Sequence, residues 1–274
     1  MKRTVIKNHI FRFTIYSLAA ALFVGCVTIA DKVISDPDMN EMGVKAFDEI
    51  KAKTPIEYNA ATNAYVKCVA NAIIAALPRE GDGSYATGVK SWEIVVFQDN
   101  TANAFALPGG KIGVHTGLLK VATTQGQLAA VLGHEVGHVL AKHGKQRVVQ
   151  SQGIGMFAAY IGPLLGSTID LDKETVDTAI GMGAQYGVML PFSRGHESEA
   201  DTIGQDLMAQ AGFDPTESIK LWQNMSAAGG SGTPEFMSTH PSASTRISDL
   251  QKGLEKSLPT YQLAKSQGKN PRCN

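Results

Sequence analysis

The sequence predicts an α+β fold that is mainly helical and carries one small sheet. Three observations predict it. Apolar residues recur at helical spacing in several segments, most clearly over 59–77 and 124–140. Ser91-Trp92-Glu93-Ile94-Val95-Val96-Phe97 has strand composition, and two shorter strand-like runs follow around Pro108-Gly109-Gly110. The 274 residues are 43% hydrophobic with a formal net charge of zero, enough for one sizeable core and without the basic excess that attracts nucleic acid.

The chain opens with Lys2, Arg3, Lys7 and Arg12, followed by the apolar run from Phe13 to Val24 and then Gly25-Cys26. This is the pattern of an export leader, residues 1–25, ending at a lipobox with Cys26 as the lipidated residue. An uncleaved membrane anchor is the alternative, since 18 residues from Phe13 to Ala30 carry no charge. Either reading places the rest of the chain outside the cytoplasm, at a membrane. Val27, where an Asp would favour inner-membrane retention, points to the outer membrane. Beyond Cys26, Cys68 and Cys273 form an even pair. A disulfide and two unrelated thiols both stay open for them.

Residues 26–55 read as a polar, partly helical approach. Val66, Val69, Ala70, Ile73, Ile74 and Leu77 then mark a helix that Pro78 ends. After the strand at 91–97, Asn103 to Leu107 and Lys111 to Val114 make two short strands, and 117–122 a short helix. Thr124, with Gln127 three residues on, forms a capping box for the next helix, and Gly144 is its expected stop. Apolar segments at 153–166 and 175–190 read as two further helices, able to form a hairpin. A helix follows Ser193 and ends near Gly212, another runs from Asp214-Pro215 to Ala228, and Gly229 to Gly232 form a joint. The last helix is expected over 242–258, closing a domain of residues 56–258. Residues 259–274 read as a polar, loosely held tail.

The helix after Thr124 contains His134-Glu135-Val136-Gly137-His138. On a helix the two histidines are one turn apart, separated by about 40° around the axis and roughly 6 Å along it. Two imidazoles so placed grip one metal ion from one side. Glu135 points about 100° away and stands beside the ion, where it can hold a water molecule. Neutral imidazole and carboxylate are zinc ligands, and a catalytic site keeps one position open for water. Further on, Ser193-Arg194-Gly195-His196-Glu197-Ser198-Glu199-Ala200-Asp201 places Glu197 and Asp201 on one face. Glu199 lies about 200° from Glu197, so the two cannot serve one ion from one helix.

HEVGH followed by ESEAD resembles the HExxH…ExxxD gluzincin metallopeptidases, the group of HtpX, the CAAX prenyl proteases, BepA and LoiP. NAFALPGGKIGVHTGLL, SRGHESEAD and STHPSASTRI extend the resemblance over roughly residues 55–255, nearest to the exported LoiP-like branch. The resemblance implies a mainly helical zincin whose sheet sets an edge strand beside the zinc helix. It makes His134, His138 and Glu197 the ligands of one zinc ion per chain, with Glu135 as general base activating a water. Asp201 then accepts the other N–H of a ligand histidine. His240 matches a histidine that occupies the open zinc position as a switch. The alternative is a residue that merely opens the last helix. Arg246 is a catalytic candidate, for the oxyanion or for anchoring its loop. Asn103, Ala104, Phe105 and Ala106 form the strand along which an extended substrate would add; an ordinary core hairpin is the other reading.

Other polar residues receive plainer readings. His143 caps a helix end, His196 faces solvent, Glu199 is a solvated or structural carboxylate, and His115 is structural. The implied activity is a zinc metalloendopeptidase of the cell envelope, a lipid-anchored quality-control protease acting on unfolded or mis-assembled proteins. The alternative is a chaperone or assembly factor that holds chains in the groove without turnover.

Overall fold

Ser35 opens the first helix, α1 (Asp36–Lys53), in the computed structural model, which describes residues 34–149, 192–228, 240 and 245–273. The leader with Cys26, the apolar segments 153–166 and 175–190, and the joint at 229–232 lie outside the described residues. Ser35 and Asp38 form a reciprocal capping box, so the segment read as an approach is a well-started helix of 18 residues. It lays Phe47 edge-on against Phe97 and Phe105 of the sheet, at ring distances of 6.1 and 6.2 Å. Helix α2 (Ala60–Ala75) starts at Asn59, whose side chain accepts from the Thr62 N–H. Its buried residues Val66, Val69, Ala70, Ile73 and Ile74 follow the periodicity of the sequence.

The sheet has three strands, β1 (Glu93–Phe97), β2 (Ala104–Leu107) and β3 (Lys111–His115), in the order β1-β3-β2. It is mixed: β1 runs parallel to β3, and β2 antiparallel to it. Gly109 and Gly110, at φ +82° and +70°, make the turn that joins β2 to β3. Alternation sends Phe105 and Leu107 toward α1 and Ala104 toward the main core with α2. The outer side of β1 is engaged, since the Glu57 N–H donates to Val96 O and the Gln98 N–H to Pro55 O. On β2, the His115 N–H donates to Asn103 O, which makes alternate pairs the hydrogen-bonded ones. Ala104 and Ala106 therefore turn their backbone groups away from β3.

After a short 3₁₀ turn (Thr116–Lys120) comes α3 (Gln125–Leu140), and across it lies α4 (Arg194–Gln210). The two backbones nearly touch at Gly133 and Gly204. A Cβ on Gly133 would stand 2.7 Å from Gly204 O, and one on Gly204 2.6 Å from the His134 nitrogen. Only glycine permits this approach, which brings the histidines of α3 against the carboxylates of α4. Thr124 caps α3 as expected, accepting from the Gln127 N–H, while the Gln127 side chain accepts from Thr123 rather than Thr124. The stop differs: α3 ends at Leu140, and Lys142, at φ 55°, supplies the left-handed turn expected of Gly144.

Helices α5 (Thr216–Ala228) and α6 (Thr245–Ser266) complete the helical side. The end of the chain corrects the sequence reading. Helix α6 runs through Pro259 to Ser266 instead of stopping at 258, and the residues after it are docked rather than loose. Proline costs a helix one hydrogen bond, but this helix is held at its far end. Cys273 is buried and disulfide-bonded to Cys68 on α2, and its N–H donates to the Gln125 side chain at 2.9 Å. Among the described residues no helix is long and apolar enough to cross a membrane.

Candidate metal centre

Helices α3 and α4 and the residue His240 bring four donor side chains to one buried point. His134, His138, Glu197 and His240 each offer an atom within 4.8 Å of the others. His134 Nε2 lies 3.1 Å from His138 Nε2 and 3.2 Å from His240 Nδ1. Glu197 Oε1 lies 3.0 Å from His240 Nδ1 and 3.5 Å from His138 Nε2, and its Oε2 lies 3.5 Å from His134 Nε2. A tetrahedral ion with bonds of about 2.0–2.1 Å has donor–donor edges of about 3.3 Å. These separations match that figure. Three imidazole nitrogens and one carboxylate oxygen also suit a first-row divalent cation, so the residues fit a metal ion. The structure unites His134, His138 and Glu197, as the motifs implied, and adds His240.

The charge states follow from burial and contacts. Burial pushes His138 well below the ordinary imidazole range, which leaves it neutral as a ligand must be. Burial acts the same way on His134, but hydrogen bonds to Asp201 and Glu197 outweigh it and raise its pKa to about 9. A metal taken up at its Nε2 would displace a proton, while Nδ1 would keep the hydrogen that it donates to Asp201 Oδ1 at 3.0 Å. Burial works to raise the Glu197 pKa, yet hydrogen bonds to His134, His138 and His240 hold it far below the usual carboxylate range. Asp201 is lowered too: burial is offset by its bonds to His134 and Arg246.

Arg246 is committed to these carboxylates. Its Nε donates to Asp201 Oδ2 at 2.6 Å, Nη2 to Asp201 Oδ1 at 2.5 Å, and Nη1 to Glu197 Oε2 at 2.7 Å. The guanidinium also lies 3.8 Å over the Trp222 ring. Of the two roles open to it, this geometry supports anchoring, because every donating edge already faces a carboxylate.

Glu135 stands on the other side of the donor set. It is buried, and burial raises its pKa. Oε1 makes no hydrogen bond among the described residues, and His240 Nε2 stands 3.4 Å from it. A cleft reaches this point, lined by Met39 and Met42 of α1, Ala104 to Leu107 of β2, and Val139. So Asn103, Ala104, Phe105 and Ala106 border the cleft, and Glu135 lies at its inner end.

Sequence reasoning missed several neighbours. His143, read as a helix-end cap, is fully buried, and it bonds both His138 and Glu199. Phe192 stacks on the His138 ring at 3.8 Å. His196, read as a surface residue, is half-buried and stacks on His143. The spacing of His143, just past the end of a ligand helix, was the available signal, but only the turn at Lys142 sends it back. His115 is structural as expected, buried against Phe97 and Phe105 with Nδ1 2.7 Å from Thr101 Oγ1.

Comparison with known proteins agrees with this geometry. The chain is 38% identical over 165 residues to the mitochondrial metalloendopeptidase OMA1 of Schizosaccharomyces pombe, covering 60% of this chain and 47% of that protein. It is 27% identical over 240 residues to the β-barrel assembly-enhancing protease of Yersinia pestis, covering 85% of this chain and 47% of the relative. The corresponding Escherichia coli K12 protease is 24% identical over 264 residues, covering 89% and 52%. The chain thus spans about half the length of these relatives. The family model for peptidase family M48 matches residues 60–253, from α2 into α6, a range that holds every donor described above. The chain belongs to peptidase family M48.

Proposed function

We propose that this chain is a zinc endopeptidase of the cell envelope that hydrolyses peptide bonds in misfolded or mis-assembled proteins. One observation carries the reading: His134, His138 and Glu197 converge beside a buried carboxylate, Glu135, that is not one of the donors. One zinc ion, which those three residues would hold, would supply Lewis acidity toward water and toward a peptide carbonyl. Glu135 takes the proton of the attacking water and returns it to the leaving amine. Burial raises its pKa, which favours its taking up a proton. Asp201 keeps the His134 ring in one orientation, and Arg246 balances the charge of Asp201 and Glu197. The outward-turned backbone groups of Ala104 and Ala106 bind an extended substrate as an added strand. Such binding reads backbone rather than sequence, which suits an unfolded client. Similarity to a β-barrel assembly-enhancing protease supports the envelope setting. The leader pattern and Cys26 support export and lipid anchoring at the periplasmic face of the outer membrane.

The test is metal removal from the full chain. Zinc analysis is expected to give one ion per chain, a chelator to stop cleavage of unfolded casein, and added zinc to restore it. Cleavage that persists in the chelator, or a chain that takes up no zinc, would overturn the reading.

His240 adds regulation. Its Nδ1 stands at the fourth corner of the donor set, 3.2 Å from His134 Nε2. A protein ligand there excludes water and holds the enzyme latent. His240→Ala should therefore raise casein cleavage, by about tenfold where the closed form is favoured about 10:1. Unchanged or lower turnover would remove the switch. The same latent geometry favours a second reading, a chaperone that holds chains without turnover, and such a role survives the loss of Glu135.

A further inference from the structure

His143 lies five residues beyond His138 and past the end of α3, yet its side chain is fully buried against that histidine. Lys142 makes this possible. Its left-handed backbone, φ 55°, reverses the chain and aims His143 back along the helix. Such a conformation is costly for a lysine and persists where neighbours hold it. Helix α1 holds it here: Asp36 receives Lys142 Nζ at 2.7 Å and Lys145 Nζ at 2.9 Å.

The contacts of His143 form a chain with one consistent arrangement of protons. His138 Nδ1 and His143 Nδ1 are 2.8 Å apart, and His143 Nε2 is 3.2 Å from Glu199 Oε2. If His138 binds a metal through Nε2, its Nδ1 carries the hydrogen and donates it to His143 Nδ1. His143 then carries its own hydrogen on Nε2 and donates it to the Glu199 carboxylate. Ring stacking on His196 at 4.3 Å keeps His143 in plane for both bonds. His134 is served differently, with Asp201 accepting its Nδ1–H directly. The two ligand histidines of α3 are thus oriented by two separate carboxylates of α4, one in contact and one through an intervening imidazole.

We propose that His143 and Glu199 are positioning residues that fix the tautomer and orientation of His138 for metal binding. This rests on the zinc reading of the centre. A ligand histidine whose other nitrogen loses its acceptor binds metal typically 10–100-fold more weakly. His143→Asn sets an amide oxygen near the position of the lost Nδ1 and restores the acceptor for His138. His143→Gln reaches toward Glu199 instead and does not.

The experiment measures zinc affinity of the full chain by chelator competition, and the visible spectrum of the cobalt-substituted protein. His143→Ala is expected to weaken zinc binding by about 10–100-fold and to shift the cobalt bands. His143→Asn should recover most of the affinity and His143→Gln little of it. Glu199→Ala, which alters a largely exposed carboxylate and leaves the buried packing alone, should weaken binding in the same direction. It is the deciding variant if His143→Ala does not fold. Wild-type affinity and spectrum in His143→Ala would overturn the proposal, as would equal losses in the Asn and Gln variants. Wild-type affinity in Glu199→Ala would remove Glu199 from it. A wild-type chain that takes up no zinc overturns the zinc reading and this proposal together, whereas wild-type uptake matched by His143→Ala overturns this one alone.

Discussion

Glu135→Gln is expected to lower cleavage of unfolded casein by about 10²–10⁴-fold while zinc content stays that of the wild type. The substitution keeps the size of the side chain and its hydrogen-bonding oxygen. It removes only the capacity to take a proton. Glu135 lies outside the donor set of His134, His138, Glu197 and His240, so metal affinity has no reason to fall. His134→Ala is the contrast, losing zinc and cleavage together because it removes a donor and strands Asp201. Measuring zinc content and casein turnover on both variants checks the assignment. Retained turnover in Glu135→Gln would sink the general-base role. An unimpaired cellular phenotype in that variant, with turnover gone, would favour the chaperone reading.

Removal of the Cys68–Cys273 disulfide is expected to destabilise the fold by about 5 kcal/mol, from the chain entropy of so large a loop. The bonded residues are 205 apart in sequence, and the loop contains α3, α4 and the whole donor set. Cys68→Ser with Cys273→Ser should lower the midpoint of chemical denaturation accordingly. The loss should also reach the site, because α6 carries Arg246, which binds Asp201 and Glu197. Zinc should therefore be released at a lower denaturant concentration in the double variant. An unchanged midpoint would mean that noncovalent docking, through Gln125 and the Cys273 N–H, suffices to hold the end of the chain.

Several features were open to inspection in the sequence because they depend on near neighbours. The histidine pair of α3 and the pair Glu197 and Asp201 on α4 follow from helical periodicity alone. So do the Thr124 cap and the buried stripe of α2. The edge strand was legible as well, since strand composition and the Pro108-Gly109-Gly110 turn are local signals. The end of α3 was misjudged for a tertiary reason. Gly144 is the residue that local chemistry favours as a stop, but Asp36 on a distant helix holds Lys142 in the left-handed turn. The chain after Pro259 was misjudged likewise, because its order comes from a bond to α2.

What the sequence determined by itself was the kind of chemistry: a two-histidine grip on a metal, a carboxylate beside it and, through the family resemblance, a second helix bearing one more ligand. Helical spacing places the two histidines within a turn of one another, and no tertiary contact is needed to argue it. How the carboxylates of α4 meet those histidines was decided by tertiary structure. The close crossing at Gly133 and Gly204 puts Glu197 among the imidazoles and Asp201 behind His134. The turn at Lys142 places His143 between His138 and Glu199. Hydrogen bonds between residues far apart in sequence require two backbones to meet at a set distance and angle, and one-dimensional periodicity does not carry that information.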